Sequence, residues 1–561
     1  MTNLEQDSSL GQAVKGAIAP IGQGWTLLAI AIALSIATPV IFILSSVFTN
    51  SGKVWSHLVT TVLTDYLINS VWLILGVSCG VLIIGVGTAW LVTMCRFPGS
   101  SLFEWSLLLP LSTPSYLLAY AYADMLDYFG PVQVGLRNLF GWQNRQDYWF
   151  PDLHSLGGAI AMLTLGLYPY VYLLARVAFL EQSVCTIEAS RSLGCNPWRS
   201  FFTVALPLAR PSIMAGLALA LMETLNDFGT VQHFGVSTFT TGIYRTWFGL
   251  GDRPAAAQLA AVLMLFILCF ILLENWSRRQ ARYYHRSSSA QNQSKYHLGW
   301  LRSILALLAC LIPVALGLLI PFVYLLNMTL ENAEQTLDLN FWHLASNSFT
   351  LSAISAVIAI AIATILAYGQ RLQPNWGMRL AVRTSSMGYA IPGSVIAVGV
   401  LIPVGNFDNA LDSWMRSQFG ISTGLLLSGT IATLIFAYLV RFLAVAFGTI
   451  ESSLNQIAPS LDDASRSLGY TPTSTLFKVH VPLMWRGLLT AGILVFVDVM
   501  KELSASIVIR PFNFDTLAIR VYQYASDERL VEASAPALAI ILVGIIPVIL
   551  LSLRITNKGE S

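Results

Sequence analysis

The sequence predicts an all-α polytopic membrane protein of about twelve helices, arranged as two parallel six-helix repeats. Three observations carry that prediction: an extreme composition, a series of apolar runs of spanning length, and one polar segment that occurs twice. Apolar residues make up 55% of the 561 and charged residues 11%, where an ordinary soluble domain carries roughly a quarter charged residues. Mean hydropathy is +0.66. The net charge of +2 is small and dispersed, which argues against nucleic acid as a partner and leaves the lipid bilayer as the chain's solvent. Cys79, Cys95, Cys185, Cys195, Cys269 and Cys310 form no C-x-x-C pair and no metal-ligand spacing, so no disulfide framework is expected.

The apolar runs come next. The first, Trp25 to Phe48, is longer than a signal-peptide core and can cross a hydrocarbon layer of roughly 30 Å. It is read as a retained span preceded by a polar tail, 1–24. Further runs lie near 67–93, 102–125, 157–180, 211–232 and 256–276, completing a first half over 25–277. A second half over 301–554 contains runs near 301–326, 348–369, 381–405, 423–448, 487–509 and 534–553, with a short tail at 555–561. The spans at 211–232 and 487–509 are the least clean, because they contain charges.

Lys and Arg in the loops set the orientation. With the N-terminus in the cytoplasm, about 21 basic residues face the cytoplasm and about 9 face outward. The clearest block, Arg278, Arg279, Arg282, Arg286 and Lys295, lies in the linker 278–300 and reads as a solvated topology signal. Both termini are then cytoplasmic. Six spans per half make the repeats parallel, related by an axis along the membrane normal.

The duplicated segment is ASRSLGCNPWRSFFTVALPL from Ala189 and ASRSLGYTPTSTLFKVHVPL from Ala464. From Glu188/Asp463 to Leu208/Leu483, 11 of 21 positions are identical without a gap, at an offset of 275. The same offset aligns Glu223 with Asp498, Asp227 with Glu502, Thr241 with Thr516 and Arg245 with Arg520. Duplication and fusion explain such a register. Each copy reads as a helix, a break, a second short helix and a stop. Gly194 and Gly469 suit a left-handed helix end. Asn196-Pro197 and Thr471-Pro472 suit an N-cap and first helical position. Phe202/Phe477 and Val204/Val479 supply apolar contacts, and Pro207/Pro482 close the segment. Both copies fall on the predicted cytoplasmic face. There, a short helix either packs on its own bundle or fits a groove in a partner.

These segments resemble the E-A-A-x-x-x-G loop of ABC importer permeases. Glu188, Ala189, Gly194, Pro207 and Leu208 match its pattern; the second copy has Asp463 in place of the Glu, then Ala464, Gly469, Pro482 and Leu483. The resemblance implies a type I importer permease fold in a bacterial inner membrane. It also implies that each loop is a coupling helix docking on one of two copies of a cytoplasmic ATPase. The chain has no G-x-x-x-x-G-K-[ST] phosphate loop. It is therefore expected to act as a transport subunit rather than an enzyme, binding no cofactor itself, while ATP and Mg are used by its partners.

Two acidic pairs follow the loops. LMETLNDFG contains Glu223 and Asp227, and FVDVMKELS contains Asp498 and Glu502. Spacing of i, i+4 predicts a carboxylate stripe on each helix. Ionisable groups at membrane depth usually face a path or cavity, so these four are candidate translocation-path residues. Hard oxygen donors suit a hard cation, although no high-affinity metal site is predicted. The alternative is internal pairing, with Lys501 or with hydroxyls such as Thr224. His57, His154, His233, His343 and His480 stand singly and read as interfacial or loop residues rather than metal ligands. The stretches around the pairs resemble fused, two-half permeases for ferric iron, which take cargo from a periplasmic ferric-binding protein. Thiamine permeases share the fused plan and leave a second cargo open, and a proton-driven secondary transporter is the alternative of a different class.

Overall fold

The structure is a computed structural model that describes residues 4–49, 52–182, 192, 194, 196–279 and 295–557. Among the described residues, nine helices are long and apolar enough to cross a membrane. A tenth candidate is the pair Pro472–Leu483 and Trp485–Met500, bent by 78°. The helix Arg253–Arg279 carries a shorter apolar stretch, Arg253–Cys269. The run expected at 102–125 is not one helix. It breaks into Ser100–Ser106, a 3-10 turn at Leu109–Ser112, and Ser115–Leu126. Pro114 causes the second break: it biases Thr113 toward extended backbone and cannot donate a helical hydrogen bond. These elements together occupy the twelve expected places, but fewer of them are uninterrupted spans than the hydropathy predicts.

Other boundaries also move. The first helix runs from Leu4 to Ser46, and its apolar spanning stretch is Gly24–Ser46, so the residues before it extend the helix but not the span. The run expected at 381–405 divides into Trp376–Ser385 and Gly393–Phe419, again at a proline, here the Ile391-Pro392 step. Most of the basic linker lies outside the described residues. Lys295 is not simply solvated: its ammonium donates to the Val92 carbonyl at 3.3 Å and lies 3.8 Å from Glu104. Next to it, Tyr296–His297 pairs in parallel with Cys95–Arg96, a two-residue β-pair in an otherwise helical chain.

The helices form two compact units that do not follow the sequence halves. One unit comprises Met1–Ser46 with Ser348–Phe514, and the other Val47–Asn347 with Asp515–Ser561. In the first, the N-terminal helix packs on Trp376–Ser385 and Gly393–Phe419. Gly399 permits this closeness, since a Cβ there would lie 2.7 Å from the Pro39 carbonyl oxygen. Trp25 meets Tyr368 edge-on at 5.6 Å.

In the second unit, Leu63–Met94 lies along Leu156–Glu181 through a seam of glycines. Added Cβ atoms at Gly76, Gly80 and Gly85 would come within 2.5, 2.6 and 2.8 Å of Ile160, Thr164 and Val171. Small residues let helix backbones approach closely where no hydrophobic effect drives association. The final helix, Leu530–Asn557, closes this unit against Ile320–Glu331.

Candidate functional site

Two features occur once in each half: the duplicated loop and a break in the helix that follows it. In the second copy, the loop begins with the helix Ser460–Ser467. Gly469 ends it at φ +79°, where the Gly469 N–H donates to Arg466 at 2.9 Å and the Tyr470 N–H to Ser465 at 3.1 Å. That is a Schellman ending. The Thr471 hydroxyl then accepts from the Ser474 N–H at 3.3 Å and caps Pro472–Thr475.

In the first copy, Glu188 and Ala189 lie outside the described residues. Gly194 nevertheless has φ +81°, and the Asn196 side chain accepts from the Arg199 N–H at 2.8 Å. A Cβ on either glycine would meet open space, so the constraint is the backbone angle and not crowding. Asp463 is exposed and sits 3.5 Å from Arg466, and Ala464 is exposed beside it.

The two prolines behave differently. Five-residue π turns precede both, at Phe201–Ala205 and Leu476–His480, in the same 275-residue register. The widened turn accommodates a residue that lacks an N–H. Past it, Pro482 does end the segment, within Val481–Leu483 and before the 78° bend. Pro207 does not, because the helix runs on unbroken through Leu206–Asn226. Phe202 and Phe477 are 59% and 64% exposed, whereas their neighbours Phe201 and Leu476 are buried. Both copies therefore present a phenylalanine outward at the same register.

The two loops are anchored by different chemistry. Behind the first, Trp90 packs on Phe201 at 4.9 Å and on Phe179 at 5.5 Å. Behind the second stands a charged clamp. Arg371 donates to Asp462 Oδ2 from Nε at 2.9 Å and Nη2 at 2.6 Å, and also to the Leu454 and Ile457 carbonyls at 2.6 and 2.9 Å. His480 Nε2 lies 2.7 Å from Asp462 Oδ1. Burial alone would push the Asp462 carboxyl up, but Arg371 and His480 outweigh it and hold the group below the ordinary carboxylate range. At the offset of 275, Arg371 corresponds to Arg96, but Asp462 and His480 correspond to Ile187 and Ala205. His480 is thus a buried clamp residue, where its isolation in sequence suggested an interfacial one.

The i, i+4 carboxylate stripes are not formed, because both helices end before the second acid of each pair. Leu206–Asn226 stops one residue before Asp227, which is extended at φ −63°, ψ 132°. Trp485–Met500 stops before Glu502. A broken helix frees backbone N–H groups that low-dielectric surroundings cannot leave unpaired. Both acids answer that need. Asp227 Oδ2 accepts from the Val231 N–H at 3.1 Å and Oδ1 from the Thr230 hydroxyl at 2.9 Å. Glu502 Oε1 accepts from the Ala505 N–H at 2.8 Å.

The charge balance differs between the two breaks. Arg441 donates to Glu502 Oε2 at 2.5 Å with both side chains buried, and Lys501 meets Asp498 at 2.9 Å. Gly393 leaves room for that buried pair, since a Cβ there would lie 2.6 Å from Glu502 Oε1. Internal pairing therefore holds for the second pair of acids. In the first pair, Glu223 accepts from the Asn226 amide at 3.5 Å, and Asp227 has no ion-pair partner among the described residues. The two pairs belong to different compact units. Sequence reasoning missed Arg441, although a lone arginine in the apolar run AYLVRFLA is the kind of signal that marks an intramembrane pair.

A family model described as the binding-protein-dependent transport system inner membrane component matches this chain twice, over residues 81–283 and 356–557. The chain is 25% identical to the Fe(3+)-transport system permease protein FbpB 2 of Haemophilus influenzae, over 94% of this chain and 97% of that protein. It is 28% identical to the molybdenum transport system permease protein ModB of Escherichia coli, over 35% of this chain and 86% of the relative. The sulfate transport system permease protein CysT of Escherichia coli is 26% identical over 36% of this chain and 72% of its own length. The two matched segments cover more than half of the residues and carry one duplicated loop each, so the chain belongs to the family of binding-protein-dependent transport system inner membrane components, as a fusion of two permease halves.

Proposed function

We propose that this ABC permease subunit imports ferric iron, received from a periplasmic binding protein, by alternating access across a bacterial inner membrane. Two copies of a cytoplasmic ATPase dock on the loops around Gly194 and Gly469, and ATP binding and hydrolysis on them rock the permease between its states. Both loops and both termini face the cytoplasm in this reading. The observation that carries it is the pair of loops: the same left-handed glycine, the same capped turn and the same exposed phenylalanine, 275 residues apart. A single connector packed on its own bundle has no need to repeat an outward phenylalanine. No ATP-binding motif occurs in the chain, so hydrolysis falls to the partners.

The cargo assignment rests on charge as well as on likeness to the ferric-iron permease. The break at Asp227 presents a carboxylate without a counter-cation among the described residues, a setting that attracts a cation and repels an oxyanion such as molybdate or sulfate. Glu223 and Asp227 are the path residues in this reading, with Asp498 and Glu502 neutralised at their own break. The test is uptake of labelled Fe(III), molybdate and thiamine by cells with and without the chain. Loss of iron uptake alone on deletion supports the assignment. Normal iron uptake with loss of either other cargo overturns it. Copurification supplies the second readout: an ATPase that remains bound to Gly194→Trp/Gly469→Trp protein would sink the docking role of the loops.

A further inference from the structure

The break at Asp227 is surrounded by more hydrogen-bonding groups than the fold consumes. Tyr120, on the helix Ser115–Leu126, is only 2% exposed, and its hydroxyl has no hydrogen-bond partner among the described residues. That helix packs against Gly229–His233, the short helix Asp227 caps, and the Tyr120 ring meets His233 edge-on at 4.7 Å. His233 Nε2 and Gln232 Oε1 are likewise buried without partners. The Tyr120 hydroxyl lies within electrostatic reach of the Asp227 carboxylate and of the Tyr116 and Tyr522 phenols. The Tyr116 ring is tilted against it at 5.8 Å, and Tyr522 packs at 5.6 Å on Phe228, the neighbour of Asp227. All of these residues belong to one compact unit.

Buried polar atoms without partners are uncommon in native structures, and each carries a desolvation cost. Helix capping does not explain this group, because at the other break the buried phenol, Tyr438, is paired with Ser506 Oγ at 2.6 Å. Six residues past the helix-starting Pro114 stands Tyr120; six past the equivalent Pro392 stands the apolar, buried Val398. Asp227 corresponds to Glu502, which Arg441 neutralises. One break is therefore charge-balanced, with its phenol paired. The other combines phenols, an imidazole and an uncompensated carboxylate.

We propose that Tyr120 and Asp227, with the phenols of Tyr116 and Tyr522 around them, form a contact site for a hard trivalent cation in transit. Phenolate and carboxylate oxygens are hard donors, and a small, highly charged cation is the ligand class that prefers them. No group of three His, Cys, Asp or Glu side chains among the described residues could serve instead. As the oxygen–iron bond forms, the Tyr120 O–H bond breaks and its proton passes to water, while iron stays ferric throughout. Reprotonation of the phenol releases the cation, as a transporter requires. This site rests on the ferric-iron reading above and names the residues that would carry it out.

The test uses the full chain purified with its ATPase partner and titrated with Fe(III) citrate. Iron(III) bound to a phenolate gives a visible charge-transfer band that citrate alone does not. The wild type is expected to show the band, Tyr120→Phe to lose it, and Tyr128→Phe, which alters a half-buried phenol beside Arg137, to retain it. Fe(III) uptake by Tyr120→Phe should fall about tenfold or more, the loss typical of perturbing even an outer-shell metal contact. Removing a hydroxyl that has no partner leaves the shape intact and costs little stability, so the variant should still fold and hold its ATPase. An unchanged band in Tyr120→Phe overturns the proposal. So does the absence of a band in a wild type that takes up iron normally, which leaves the cargo reading standing. A wild type that carries no iron at all removes the cargo reading, and the site with it.

Discussion

Replacing Asp462 by alanine removes the centre of the clamp behind the second loop. The carboxylate joins Arg371, on the helix Leu339–Leu372, to His480, on the π turn that leads into the bend. Side-chain exposures of 15% for Arg371, 10% for Asp462 and 0% for His480 place the trio in surroundings that screen charge poorly. Removing one member of a buried pair typically costs about 3–5 kcal/mol, mostly from stranding its partner. Arg371 keeps the Leu454 and Ile457 carbonyls, so the low end applies. A loss of about 3 kcal/mol corresponds to roughly a 150-fold rise in local opening. Hydrogen exchange over residues 460–480 in the purified complex reads that directly. Exchange within about threefold of wild type, below roughly 0.7 kcal/mol, would refute the clamp. The first loop supplies an internal control, because its aromatic anchor of Trp90, Phe179 and Phe201 does not involve Asp462. Its exchange should not move.

Acid should weaken the same clamp. The Asp462 carboxyl titrates below its ordinary value in the folded chain, so its contribution is fully present above the ordinary aspartate range and is lost as pH falls through the depressed value. Relative to the intrinsic exchange rate at each pH, protection at 460–480 should fall over that acid window, and this fall should be absent in Asp462→Asn. Gly469→Ala places a side chain at φ +79° and should cost about 1–2 kcal/mol, read as weaker ATPase copurification. Gly448→Ala, inside a helix with open space around it, should be harmless. Gly80→Leu drives a side chain into Thr164 and should lower the Tm of the purified protein, with an overpacking cost of about 1–3 kcal/mol. Arg441→Leu and Glu502→Leu should each destabilise strongly, at about 3–5 kcal/mol. The double variant should recover much of that loss, as a thermal-unfolding cycle would show.

Local chemistry was the legible part. Gly194, Gly469, Asn196 and Thr471 behave as their residue types require, because a left-handed turn and an N-cap are decided within a few residues. The helix breaks after Asn226 and Met500 were not legible. Apolar pattern continues across both, and what stops each helix is a carboxylate turning back to cap the N–H groups beyond it. Pro207 misled for a related reason, since a π turn absorbs the stop that a proline normally imposes. The membership of the two compact units was invisible, because the N-terminal helix packs on residues more than three hundred positions away. Hydropathy says that a helix is buried and says nothing of what it is buried against.

Duplication also explains why the two halves should be read against each other and not averaged. Arg96 and Arg371 descend from one position, yet among the described residues only Arg371 has an acid and a histidine to hold. Asp227 and Glu502 cap equivalent breaks, yet only Glu502 has an arginine. Identical halves would meet the same loop-anchoring and helix-capping demands in the same way. Each divergence therefore separates what the fold requires from what one half does beyond it. Backbone capping appears on both sides and belongs to the fold. Among the described residues, an uncompensated carboxylate beside an unpartnered phenol and imidazole appears on one side only, and the charged clamp on the other. By this reasoning, Glu502→Gln should disturb chiefly stability, while Asp227→Asn, which keeps a capping oxygen, should disturb transport with little loss of Tm. Equal losses of Tm in the two variants would show that both acids serve the fold alone.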